Sequence, residues 1–151
     1  EAMIDNGWPV EVPVDIVTGA AFTEADRLQV LLEGSGLPVR HWHNTDAIPV
    51  LMAEARLALA AAGSTALELA VMRVPSILLV VADNQQNTAV QLSRLRWFDV
   101  LDARKALDWP ALLALCLQRW RAAGSVGDEF PSSFGCDGRG LLRIADAIES
   151  L

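Results

Sequence analysis

Positive charge is scarce in this chain: twelve Lys and Arg stand against nineteen Asp and Glu, giving a net charge of −7, and Lys105 is the one lysine. A sequence-independent grip on nucleic acid needs clustered cations that displace counterions, so no nucleic-acid partner is expected. Cysteine is also sparse. Cys116 falls in a helical pattern and Cys136 in a glycine-rich turn, which makes neither a disulfide framework nor a metal site and suits a reducing cytoplasm. Although 52% of residues are hydrophobic, no apolar run approaches the roughly 20 residues that span a bilayer, so no integral membrane segment is expected. Residues Glu1 to Gly7 lack the basic start and apolar core of a signal peptide. Repeats and low-complexity tracts are absent as well.

What is present is a regular alternation of short apolar runs and amphipathic stretches. At 151 residues the chain is read as one domain, large enough to bury about two-thirds of its unfolded surface. The run Leu57 to Ala62 has no polar alternation, and a run of this kind reads as a strand buried on both faces of a parallel sheet. Gly63-Ser64-Thr65 follows it. In open α/β sheets that turn lies at the carboxyl edge, where ligands bind and where the first amides of the next helix point outward.

The remaining elements follow in order. Glu1 to Gly7 reads as a helix end with an Asn-Gly cap, and Val14 to Thr18 as a strand placed after Pro13. Thr23-Glu-Ala-Asp26 resembles a capping box for a helix that presents Ala25, Leu28, Leu31 and Leu32 before Gly34. Leu37 to Trp42 reads as a second strand. Asn44 to Asp46 are expected to cap a helix with Ile48, Leu51, Met52 and Ala55 on its apolar face and Pro49 in its first turn. The helix after Gly63 runs to about Met72. Ser76 to Val81 reads as another buried strand, Asp83 to Asn87 opens a helix with Ala89, Leu92 and Leu95 inward, and Phe98 to Leu101 reads as a weaker strand. Asp108 caps a long helix to Ala122, Gly124 to Gly138 reads as a loop, and Leu141 to Leu151 as a closing helix. Such alternation calls for right-handed crossovers in an α/β fold: a three-layer Rossmann-like sandwich around a mostly parallel sheet of about five strands.

Thr65-x-x-Glu68 has two readings. As a capping box, Thr65 and Glu68 satisfy each other's orphan amides. As a ligand site, Gly63 admits a ligand to the backbone, Ser64 and Thr65 offer amides and hydroxyls to a diphosphate, and Glu68 accepts hydrogen bonds from vicinal ribose hydroxyls. Asp83-Asn84-Gln85 caps a helix in the first view. In the second, the amides of Asn84 and Gln85 reach sugar hydroxyls or phosphate oxygens without adding charge. His41, His43 and Asp46 are close in sequence, but no further Cys or His completes a tetrahedral set, so no metal is expected and a loop histidine near the ligand edge is favoured. Asp137-Gly-Arg-Gly140 reads as a turn admitting a helix.

Between Asn44 and Asn87, the segments Leu51-Met-Ala-Glu-Ala, Ala61-Ala-Gly-Ser-Thr-x-x-Glu68, Val74-Pro75 and Ala82-Asp-Asn-Gln85 resemble the carboxyl-terminal domain of GT-B fold nucleotide-sugar enzymes. The nearest likeness is to the UDP-sugar hydrolase of pseudaminic acid synthesis and its relatives in spore coat polysaccharide synthesis, a likeness that Asp137-Gly-Arg-Gly-x-x-Arg143 strengthens. The resemblance implies a UDP-sugar ligand with Gly63, Ser64 and Thr65 at the diphosphate, Glu68 at the ribose, Asn84 and Gln85 at phosphate or sugar, and Ile48 and Leu51 bordering the base. It implies hydrolysis by water attack with no cofactor, the catalytic histidine being supplied by an amino-terminal domain absent here. Donor loops alone fit a glycosyltransferase equally well, and a non-catalytic interaction module would use Thr65 and Glu68 only as a cap.

The resembling domain also begins with a central strand upstream of this sequence. Its loss is expected to be repaired by direct pairing of Val14–Thr18 with Leu57–Ala62, which gives the spatial strand order 2-1-3-4-5.

Overall fold

A computed structural model describes residues 11–104, 108–123 and 137–149. The expected helix end at Glu1 to Gly7, the residues Lys105 and Cys136, and nearly all of the Gly124 to Gly138 loop lie outside them. Strands β1 (Val14–Thr18), β2 (Val39–His43), β3 (Ala58–Ala61), β4 (Ser76–Val80) and β5 (Phe98–Asp102) alternate with helices α1 (Ala25–Glu33), α2 (Ile48–Glu54), α3 (Ser64–Val71) and α4 (Gln86–Leu92). Helices α5 (Trp109–Ala123) and α6 (Gly140–Glu149) follow β5. All strand pairings are parallel.

Among the described residues these strands make two sheets. β1 pairs with β2, and β3, β4 and β5 pair in that order. No ladder joins β1 to β3, so the closed five-strand order 2-1-3-4-5 is overturned. Closure was expected because unpaired backbone groups are costly in a dry interior. One face of β3 is open to solvent: Leu59 is 47% exposed and Ala61 is exposed as well. The strand therefore does not lie in a dry interior, and the penalty that would drive closure is weakened.

The same fact corrects the reading of Leu57 to Ala62 as a strand buried on both faces. β4 fits that description instead, because it is central, and Ser76, Ile77, Leu78 and Val80 are buried. Its alternation divides the core. Leu78 and Val80 point to one face with Ala66 and Ala70 of α3, Ala89 and Leu92 of α4, Trp97 and Phe98. Ile77 and the half-buried Leu79 point to the other, with Leu101, Leu113 and Leu117. Helices α3 and α4 therefore cover one side of the three-stranded sheet and α5 the other. Asp99 fastens α5 further, accepting from Trp120 Nε1 at 2.8 Å and from Arg119.

The β1–β2 pair is held differently. Asp15 on β1 accepts from Arg40 Nε at 2.8 Å and Nη2 at 2.6 Å, and from Trp42 Nε1 at 2.7 Å. No residue of β1, α1 or β2 is buried. Thr23 does not cap α1, whose cap position is Glu24 without a side-chain hydrogen bond. Before α2, Thr45 Oγ1 accepts from the Ala47 amide at 3.1 Å, so the turn is stabilised by a residue two positions ahead of the cap.

Candidate functional site at the carboxyl edge of the three-stranded sheet

Chain direction carries β3 and β4 to a common edge, and the two segments leaving that edge meet. Gly63 follows β3 after one residue, Ala62, and caps α3 with extended backbone (φ −92°, ψ −150°). α3 begins at Ser64, with no side-chain capping bond. Thr65 thus lies inside the first turn, and the box expected from Thr65-x-x-Glu68 is not formed. The turn is closed by backbone alone, the Ala66 amide donating to Gly63 O at 3.1 Å. Ser64, Thr65 and Glu68 are all exposed. Glu68 stands four residues after Ser64 and three after Thr65, so all three share one side of the helix start.

From β4, Asp83–Gln85 form one 3₁₀ turn before α4. The side chain of Gln85 folds back over the edge. Its Oε1 accepts from the Val81 amide at 2.9 Å. Its Nε2 lies 3.9 Å from where a Cβ on Gly63 would stand. That is an ordinary van der Waals distance, so the Gln85 amide lies against the β3 turn without crowding it. Gly63 and Gln85, 22 positions apart, are therefore neighbours. Asn84 is exposed beside them.

Asp83 was expected to cap a helix and does not. It accepts from Arg104 Nη1 at 2.5 Å, while Arg104 also grips Asp102 through Nη2 at 2.7 Å and Nε at 2.9 Å. The hydrogen bonds that it donates to Asp102, and then to Asp83, hold the guanidinium still more firmly in its charged form against the opposing effect of desolvation. Its side chain is only 12% exposed. Sequence reasoning passed over Arg104. The available signal was its place just past β5, at the same edge as Asp83.

On its outer side α3 borders a cleft of about 260 Å³, lined by Leu67, Glu68 and Val71 together with Asp137, Gly138, Gly140 and Arg143. Arg143 donates to both carboxylate oxygens of Asp137, through Nη1 at 3.1 Å and through Nη2. The Arg143 hydrogen bonds lower the Asp137 pKa, and the Arg139 amide adds to that effect. Glu68 thus shares a cleft with the motif at Asp137 to Arg143.

Ile48 and Leu51 are on α2, whose Met52 packs onto Leu69 of α3 and onto Val74. The histidines are on a strand rather than a loop, both in β2 and both exposed. Among the described residues no group of three or more His, Cys, Asp or Glu is gathered for a metal ion, and no helix is long and apolar enough to cross a membrane.

Comparison with protein families, curated proteins and solved structures finds no match for this chain.

Proposed function

We propose that the carboxyl edge of β3 and β4 binds a nucleotide-sugar of the UDP type. The observation that supports this best is the meeting of Gly63 and Gln85 over helix-start amides that no side chain caps. Backbone N–H groups at such a start, with the positive end of the helix dipole, favour a diphosphate. Ser64 and Thr65 would hold the phosphates. Glu68, on the same side of the helix, would accept from ribose hydroxyls at a distance from the phosphates that it would otherwise repel. Gln85 and Asn84 would serve the phosphate or sugar with uncharged amides. A capping role for Thr65 and Glu68, the basis of the interaction-module reading, has lost its support because the box is not made.

In the fuller reading the chain is the donor-binding half of a sugar-nucleotide hydrolase of the UDP-diacetamido-trideoxy-hexose type. A second domain would bring the catalytic group to the anomeric carbon.

Calorimetric titration of UDP into the wild type and Glu68→Ala tests the binding claim. The wild type should bind, and the variant should bind about ten- to a hundredfold more weakly, the range for losing a hydrogen bond to a charged group. At a hundredfold excess over the dissociation constant, UDP should add about 2.7 kcal/mol to wild-type stability in thermal melts. No shift in the wild type, or equal affinity in both proteins, would remove the assignment.

A further inference from the structure

β2 carries His41 and His43 two residues apart, so the strand's alternation places both rings on one face. The parallel register sets Thr18 of β1 opposite His43. The Thr18 hydroxyl oxygen lies 2.8 Å from His41 Nε2 and 3.1 Å from His43 Nδ1. Two imidazole nitrogens on separate rings are therefore aimed at one point. A hydroxyl has a single hydrogen, so it can donate to only one of them. The other ring must itself be the donor, and its proton occupies the place where a lone pair would be in the alternative tautomer.

We propose that Thr18, His41 and His43 form a site for a divalent transition-metal ion of the imidazole-preferring group: Ni²⁺, Cu²⁺ or Zn²⁺. Such ions bond to neutral imidazole nitrogen at about 2.0–2.1 Å and favour imidazole over oxygen ligands. On binding, the donating ring carries its proton on its other nitrogen, which gives both facing nitrogens the same lone-pair role. The Thr18 hydroxyl, already facing both rings, holds them together before the ion arrives, which reduces the ordering cost of chelation. Both rings are exposed, so the ion can reach them without opening the fold. With no third strong ligand gathered among the described residues, the site is an open one that keeps exchangeable water. The site lies on the two-stranded sheet and does not depend on the nucleotide-sugar reading.

These are the only two histidines in the chain, so imidazole-borne binding has one possible location. The test is a calorimetric titration of Ni²⁺ into the metal-stripped full chain and into His41→Ala, His43→Ala and Thr18→Val. Circular dichroism on each variant confirms that it is folded. One Ni²⁺ per chain is expected for the wild type, with at least a tenfold loss of affinity in each histidine variant and a smaller loss in Thr18→Val. In an amide NMR spectrum of the wild type, paramagnetic Ni²⁺ should broaden signals around positions 18, 41 and 43 first. A wild type that takes up no Ni²⁺, a histidine variant that binds as tightly as the wild type, or broadening centred elsewhere would overturn the proposal.

Discussion

Arg73 occupies a position that suits glycine. It has φ +59° directly after the last turn of α3, with its amide donating to Ala70 O at 3.2 Å and the Val74 amide to Leu69 O at 2.9 Å. That pattern is a Schellman ending, completed by the packing of Val74 on Leu69. The left-handed backbone costs a residue with a Cβ about 1–2 kcal/mol that glycine avoids, although glycine also gives up about 0.5–1 kcal/mol through its freer unfolded chain. Arg73→Gly should therefore stabilise the protein by up to about 1 kcal/mol, read as a higher melting temperature, and a lower one would refute this account of the turn. At the same scale, the sequence places Gly63 and Gln85 at one edge because Gly63 ends one apolar run and Gln85 stands three residues past the end of another. Arg104 was not. Its partner Asp83 is 21 positions away, and the two meet only once β4 and β5 lie side by side.

Among the elements, all five strands were readable from apolar runs, and β1 has the expected bounds. Which strand is central was not readable. Leu57 to Ala62 and Ser76 to Val81 are nearly equivalent as patterns, yet β4 is paired on both edges and β3 on one. Period and composition report what a strand's faces meet, whereas its edges depend on long-range pairing. Helix caps were misplaced by one or two residues at Thr23 and Thr65, where no side chain makes the capping bond, whereas ahead of α2 the Thr45 hydroxyl closes the turn that leads to the cap at Ala47. The β1–β2 pair permits a sharper forecast. Hydrogen bonding from Arg40 is the main cause that lowers the Asp15 carboxyl below its ordinary 3.8, with Trp42 helping and burial opposing. A depressed carboxylate stabilises the fold above its unfolded pKa, and the contribution is lost as pH falls through the lower folded value. Amide signals of β1 and β2 should therefore weaken only below about pH 3.8, and Asp15→Asn should remove that acid step. An unchanged acid profile in the variant would contradict it.

For the molecule as a whole, every buried hydrophobic residue among those described falls between Met52 and Leu117. β1, α1 and β2 hold together through one strand ladder and the Asp15 cluster, while the three-stranded sheet is packed on both faces. Local opening follows packing. Hydrogen exchange should be slowest in β4 and fast across 11–44, and comparable protection in both would show the two sheets to be one cooperative unit. The edge of β3 that pairs with no strand among the described residues also bears on how the protein behaves in concentrated solution. That edge offers Leu59 and no lysine, proline or charged residue of the kind that usually discourages one edge from adding to another. What remains to keep two copies apart is mutual repulsion from a net charge of −7. Repulsion of that sort reaches only about 10 Å in 0.1 M salt and about 3 Å in 1 M. Salt, which leaves the packed core largely untouched, is thus the variable that sets this protein's colloidal lifetime: dilute buffer should keep it dispersed, and brine should let the edges find each other.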